Sequence, residues 1–362
     1  MSSRKFVNVE NLKQGMILDQ PILDSRGRTM IEKGIFLGTY QIKYLQEKGF
    51  RGVYIYDPRE NKDARPKKVL EEIRRYRVPD RPVVTISDNT RRELKSSIKT
   101  IFDDPSSDFF SEYTNKITDN IEKSIMDNDA VAVDISTIRA SDQYTFRHSV
   151  DVGVLSLMIG HQYGLTGDAL HQLGIAGLLH DVGKARIPLS ILNKPGKLTK
   201  EEFDIIKRHP VYGFEIVRDH HAYSPQILEG ILHHHEKMNG TGYPDGQRYG
   251  EISDFARIIS IADIFDALVT KRPYKNPCTG REAVEMIYAM GNELDNRLIN
   301  AFLESIILYP VDSIVKLSNG RAVQVVENYS KYPSRPKCVD VLNGSIIDLC
   351  KDEHCMNLVI AS

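Results

Sequence analysis

The spacing of apolar positions along the chain changes twice, and the changes mark out its regions. Residues 1 to 57 carry short apolar runs broken by turn residues. In "GMILDQPILDSRGRTMIEKGIFL" the turn Asp24-Ser25-Arg26-Gly27 separates two of them, which is a strand pattern. "TYQIKYLQEKG" instead sets Ile42 and Leu45 three apart and stops at Gly49, so one helix is expected before the strand "GVYIY". From about Ser87 to Leu308 apolar residues recur every three to four positions, as in "RRELKSSIKTIF" and "FFSEYTNKITDNIEKSIM", and nearly everything reads as helix. After Tyr309 a period of two returns. "SIVKLSNGRAVQVVENY" alternates around Asn319-Gly320 and "KCVDVLNGSIIDL" around Asn343-Gly344, each a strong hairpin signal.

These changes divide the chain into a small α+β module (1–57), a charged linker with connecting helices (58–119), a helical domain (120–308) and a β-meander (309–362). The linker stretch "DPRENKDARPKKVLEEIRRYRVPDRP" is so charged that its one short helix is expected to be solvated. Inside the helical domain the start signals are explicit. Thr199 with Glu202 makes a capping box, Ser224 precedes Pro225, and Ser253 opens "SDFARIISIADIFDALVTK". "TFRHSVDVGVLSLMIGHQYG" and "DALHQLGIAGLLHDVGK" are apolar over most of their length, as buried helices are. The fold class is mainly α.

Composition narrows little. A net charge of −1 over 362 residues gives no bulk attraction to duplex nucleic acid or an anionic surface, so an anionic substrate needs a local field. The four cysteines show no CxxC spacing and are expected as free thiols. No run approaches the ~20 apolar residues of a membrane span. "MSSRKFVNVENLKQGM" lacks a signal-peptide core, so a cytoplasmic location is expected.

The chemistry lies in where the polar residues fall. His148 sits in the first strongly apolar helix, His180-Asp181 ends the next, and His209 precedes Pro210 at a helix break. His234 and His235 close "SPQILEGILHHH", and Asp263 lies inside "IISIADIFDAL". Any one of these is most simply a helix cap or a satisfied polar group. As a set they are costly to bury unless they satisfy one another through metal ions. Nitrogen and oxygen donors without thiolate suit iron or manganese, with zinc as a further option. Seven ligands suit two ions about 3.5–4 Å apart that share a carboxylate, and Asp181, in the middle of the set, is the expected bridge. Two such ions leave a local charge near +2 and acidify a bridging water toward a pKa of about 7. That chemistry is attack on phosphorus. Lys184, just after the His-Asp pair, is placed to hold a phosphate oxygen.

The pair in "LLHDVGK", with an upstream His and a downstream Asp, resembles the HD superfamily of metal-dependent phosphohydrolases. "HDVGKARIP", "IIKRHPVYG", "HHEKMNGTGYP" and "IADIFDALVTKRPYK" resemble the HD-GYP family, over roughly residues 120 to 308. The resemblance implies an HD-type helical bundle hydrolysing cyclic di-GMP to linear pGpG, GMP or both. Carried over, His148, His180, Asp181 and Asp263 match the ligands of one metal, and Asp181, His209, His234 and His235 those of the second. Lys184 matches the lysine near the scissile phosphate, Arg272 and Lys275 match residues that hold the nucleotide, and Gly242-Tyr243-Pro244 matches the signature loop. His233 is then a packing neighbour.

Two positions depart from the family pattern. Asn239 stands where an aspartate is usual, and Tyr144 stands one turn before His148, where members with a third metal carry glutamate. Two metals per chain are therefore expected. The competing readings are a phosphodiesterase for another cyclic dinucleotide such as cyclic GMP-AMP, and a signalling adaptor that binds nucleotide or partner proteins without turnover. Degenerate adaptors tend to lose ligands, and this set is complete.

Overall fold

The computed structural model describes the chain apart from residues 1–4, 14–15, 24–28, 32, 34, 36, 38, 57–66, 85–87, 127–129, 135–143, 195, 271–276 and 362. The expected turn at Asp24-Ser25-Arg26-Gly27, the residues Arg272 and Lys275, and the side chain of Tyr144 lie outside what is described. In chain order the elements are β1 (Lys5–Asn8), β2 (Ile17–Leu18), β3 (Ile22–Leu23), β4 (Thr29–Ile31), α1 (Thr39–Glu47), β5 (Gly52–Tyr56) and α2 (Lys67–Tyr76). There follow α3 (Asp88–Asp103), α4 (Phe110–Met126), β6 (Val133–Asp134), α5 (Tyr144–Tyr163), α6 (Gly167–Leu179), α7 (Leu189–Leu192), α8 (Lys200–Ile206) and α9 (His209–Asp219). The rest are α10 (Pro225–His233), α11 (Asp254–Val269), α12 (Gly280–Ala289), α13 (Asn296–Glu304), β7 (Ile306–Ile307), β8 (Ile314–Lys316), β9 (Ala322–Glu327), β10 (Lys337–Asp340) and β11 (Ile346–Asp348).

The chain separates into two units, one of Met1–Pro79, Tyr309–Asn328 and Arg335–Ser362, the other of Asp80–Leu308 and Tyr329–Ser334. In the helical unit α5, α11 and the second half of α6 are buried on almost every face, the property of helices at the centre of a domain. α5 packs on α6, α11 and α13, and α10 packs on α6, α9 and α11. The expected helix starts are present: Thr199 and Glu202 form a reciprocal capping box, and the hydroxyls of Ser224 and Ser253 accept from Ile227 and Ala256 N–H. The expected boundary at residue 120 is corrected. It falls inside α4, and Leu94, Ile98, Phe110, Ile117 and Ile121 belong to the same apolar cluster as α5 and α6. Helices read as connectors are part of the helical core because their apolar stripes are as continuous as those beyond residue 120.

In the other unit, β1, β5 and β2 form an antiparallel sheet and β11-β10-β9-β8 a meander. Both expected Asn-Gly hairpins are present. Asn319 Oδ1 accepts from Arg321 N–H at 3.1 Å and Asn343 Oδ1 from Ser345 N–H at 2.8 Å, so each asparagine braces its own turn. α2, expected as a solvated helix, instead buries Val69 and Ile73 against Val326 of β9 and Val339 of β10. Two apolar residues one turn apart make a stripe, and the surrounding charge had masked it. No described helix is long and apolar enough to cross a membrane, and all four cysteines are free.

Candidate metal centre

Why histidines cluster at helix ends is answered by their Nδ1 atoms. The last turn of a helix leaves carbonyls without partners. His180, directly after α6, donates Nδ1–H to Gly177 O at 2.8 Å, and His234, directly after the body of α10, donates to Ile231 O at 2.7 Å. His209, just past α8, donates to Ile206 O at 2.8 Å. Each imidazole reaches back three residues to a carbonyl that can only accept. The proton is thereby fixed on Nδ1 and the Nε2 lone pair is turned inward.

The inward atoms converge. Asp181 Oδ2 lies 3.5 Å from His148 Nε2 and 3.4 Å from His180 Nε2, and its Oδ1 lies 3.2 Å from His209 Nε2. His148 Nε2 also lies 3.2 Å from Asp263 Oδ1. His235 is 4.1 Å from His234 and 5.1 Å from His209 between ring centroids. Three overlapping groups bring their donor atoms within 4.8 Å of one another: His148, His180 and Asp263; His180, Asp181 and His234; His209, His234 and His235. All seven expected ligands are thus brought together.

The donor set fits divalent cations on two observations. His209 Nε2 and His234 Nε2 face each other at 3.3 Å, although both rings carry their proton on Nδ1. Two lone pairs so placed repel unless a cation lies between them. In addition, His180 Nε2 and Asp181 Oδ1 are buried without a hydrogen-bond partner, a costly state for polar atoms that could ligate an ion. Burial first, then neighbouring imidazoles, hold His234 well below the usual histidine range. Burial likewise brings His235 down to about 3. Both rings are neutral donors at neutral pH. Burial opposes ionisation of Asp181 and Asp263, but Lys184 with His180 and His148 outweighs it at Asp181, and His148, His235 and His180 outweigh it at Asp263, so both carboxyls stay well below their ordinary range.

One side of the cluster is open. His180 and His234 are fully buried, whereas the side chains of Asp263, Lys184 and His235 are 14%, 23% and 25% exposed. Lys184 Nζ pairs with Asp181 Oδ2 on that side. Its 3-10 turn, Val182–Arg186, can lie against α9 only because residue 183 is glycine. A Cβ there would stand 2.0 Å from His209 O and 2.4 Å from Gly213 N.

The loop after α10 is built by the same economy of space. A Cβ on Gly242 would stand 2.4 Å from Glu236 Cα, so the chain doubles back tightly and sets the Tyr243 ring 4.7 Å from that of His235. Burial and the nearby Asp263 and Asp181 raise the Tyr243 pKa, and the side chain remains a neutral phenol. Asn239 Oδ1 accepts from Thr241 N–H at 3.0 Å and Thr241 Oγ1–H at 2.7 Å. An aspartate would accept the same two bonds, so the departure at 239 leaves the turn intact.

Three residues of the surroundings escaped the reading of the sequence. Asp266 is fully buried and accepts His148 Nδ1–H at 2.6 Å and Thr270 Oγ1–H at 3.0 Å, so it fixes the ring and turns Nε2 toward the cluster. The signal was present, since Asp263 and Asp266 stand three apart on one face of α11. Glu236 is buried and takes the N–H groups of Asp245 and Gly246 at 2.7 and 2.9 Å. His233, expected only to pack, joins Glu229 at 2.8 Å and Asp245 at 2.9 Å and so fastens the same loop.

Comparison with known proteins finds relatives of this chain. Residues 133–298 match the HD domain family. Cyclic di-GMP phosphodiesterase PA4108 of Pseudomonas aeruginosa is 35% identical over 225 residues, covering 62% of this chain and 54% of that protein. A cyclic di-GMP phosphodiesterase of Thermotoga maritima is 37% identical over 215 residues, 58% of this chain and 56% of its own length. The 3'3'-cGAMP-specific phosphodiesterase 2 of Vibrio cholerae is 37% identical over 171 residues, 47% of this chain and 33% of its own length. The chain spans about half the length of the first two relatives.

Proposed function

We propose that the helical unit is a metal-dependent phosphodiesterase that hydrolyses cyclic di-GMP to linear pGpG, GMP or both. The observation that carries this reading is the convergence of two His/Asp groups on one buried carboxylate, Asp181, with an open side at Lys184, His235 and Asp263. His148, His180 and Asp263 would hold one divalent ion, His209, His234 and His235 would hold the second, and Asp181 would serve both. Iron or manganese suits these nitrogen and oxygen donors better than zinc. Two such ions, when bound, polarise a phosphoryl oxygen and make hydroxide available near neutral pH.

The chain's own groups do the rest. Neutral His234 and His235 donate lone pairs without first losing protons. Lys184, already turned to Asp181 on the open side, meets a non-bridging phosphate oxygen and steadies the charge that grows as the ester bond breaks. Arg272 and Lys275 hold the nucleotide's phosphates, Arg272 through its two-pronged guanidinium. Tyr243, a phenol throughout, donates to the nucleotide from the rim of the loop.

The test is direct. Protein purified with its metals retained is offered cyclic di-GMP, 3'3'-cGAMP and cyclic di-AMP, and products are separated by chromatography. Cyclic di-GMP is expected to be consumed fastest. Preferred turnover of 3'3'-cGAMP, which the Vibrio cholerae relatives named for it make the second reading, would move the substrate within the same chemistry. Tight binding without turnover by fully metal-loaded protein would make it an adaptor.

A further inference from the structure

The donors of the centre do not divide evenly. Among the described residues, His148, His180 and Asp263 make one group and His209, His234 and His235 another. Asp181 faces both. Its Oδ2 lies 3.5 and 3.4 Å from His148 and His180 Nε2, and its Oδ1 lies 3.2 Å from His209 Nε2. The first half thus offers two imidazoles and two carboxylates, the second three imidazoles and one carboxylate. Asp263 leans to the first half: its Oδ1 is 3.2 Å from His148 Nε2, whereas its Oδ2 is 3.9 Å from His235 Nδ1.

The charges behind the donors do not cancel this difference. Asp266 accepts His148 Nδ1–H at 2.6 Å and makes that imidazole a stronger donor. Lys184 Nζ lies against Asp181 Oδ2, the oxygen that faces the first half, so its positive charge offsets that of Asp266. Asp263 is left as one negative charge in favour of the first half. In the second half, His209 and His234 give Nδ1–H to the neutral carbonyls of Ile206 and Ile231 at 2.8 and 2.7 Å, which add no charge. Affinity for a divalent ion rises with the number of charged ligands. Donor type points the same way, since carboxylate oxygen suits manganese and imidazole nitrogen suits iron and zinc.

We infer that the two halves are inequivalent in affinity and in metal preference. The ion held by His148, His180, Asp263 and Asp181 binds first and more tightly, in the half that accepts manganese. The ion held by His209, His234 and His235 binds second, in the half that selects ferrous iron over manganese. This inference rests on the two-ion reading of the centre and not on which nucleotide is cleaved. When metal is scarce the carboxylate-rich half stays filled and the imidazole-rich half empties. Any activity that needs both ions therefore follows the supply of the nitrogen-seeking metal.

Chelator-stripped protein is titrated with Mn2+, with free ion counted by electron paramagnetic resonance and binding heat by calorimetry. Wild type is expected to take up two equivalents with affinities roughly tenfold or more apart. Asp263→Asn should weaken the tight equivalent and spare the other, whereas His235→Ala should lose the weak equivalent and keep the tight one. Given one equivalent each of Mn2+ and redox-inert Zn2+, wild type should hold both, with Mn2+ magnetically uncoupled. Asp263→Asn should then release Mn2+ and retain Zn2+. The two-step curve of wild type decides the matter even where a variant folds poorly. Two equal affinities, or a tight equivalent lost in His235→Ala and kept in Asp263→Asn, overturn the inference while the two-ion centre stands. Uptake of a single equivalent by wild type overturns the two-ion reading and this inference with it.

Discussion

His148 gives its Nδ1–H to a carboxylate, Asp266, whereas His180, His209 and His234 give theirs to backbone carbonyls three residues back. The two halves of the centre therefore differ in charge. Around His148, burial disfavours protonation, yet Asp181, Asp263 and Asp266 outweigh it and raise the imidazole well above its usual range. Around His234 no such carboxylate surplus exists, and burial with the neighbouring rings drives its pKa down. The carbonyl-held half follows from placing a histidine where a helix stops. The carboxylate-held half needs one extra buried charge, and it is the half that single substitutions can retune.

Substitutions at four positions break or sharpen that contrast, in falling order of expected effect. Asp181→Ala removes the one residue shared by both halves. Hydrolysis should fall to background and bound metal should drop, while circular dichroism still reports a helical fold; full activity at unchanged metal content would show that Asp181 is no bridge. Asp266→Ala should weaken metal binding and turnover roughly 10–100-fold, with Asp266→Asn milder because its amide oxygen still accepts from Nδ1–H. Equal metal affinity in wild type and Asp266→Ala would erase the distinction between the halves.

Gly183→Ala strikes the carbonyl-held half through its backbone. The new methyl meets His209 O, so α9 must shift, at a cost of about 1–3 kcal/mol of stability and with weakened metal retention. Denaturation midpoints equal to wild type would mean that the seam yields freely. Asp295 supplies a contrast outside the centre, a buried carboxylate balanced by arginines. It accepts from Arg257 at 2.5 Å and from the Arg297 guanidinium at 2.9 Å. Burial opposes its ionisation, but Arg297 and then Arg257 win and lower its pKa. Its contribution is thus present above the unfolded value of about 3.9 and is lost as pH falls through the lower folded value. Asp295→Asn should cost about 1–2 kcal/mol at pH 7, a cost that shrinks below pH 4 in acid-unfolding curves. A cost independent of pH would show packing and not charge.

Much of this was legible beforehand, and the exceptions share a cause. The Asn-Gly hairpins, the Ser and Thr caps and the convergence of the seven candidate donors are each signalled by residues next to the feature they build. Asp266 was missed because one buried Asp on an apolar helix looks like another, and only the packed His148 tells them apart. Glu236 and His233 were undervalued because the groups they hold arrive 9 to 12 residues later in the chain. The boundary at residue 120 and the solvated reading of α2 failed where sequence patterns were continuous or swamped by charge, and packing decided.

The most direct test of the central claim is turnover measured against bound metal. Chelator-stripped protein is reloaded with Mn2+ or Fe2+ in steps, and cyclic di-GMP hydrolysis is followed alongside metal counted per chain. Hydrolysis is predicted to stay near background through the first equivalent and to rise as the second binds. Full hydrolysis by stripped protein, or a maximum reached at one equivalent, would contradict a centre of two ions sharing Asp181.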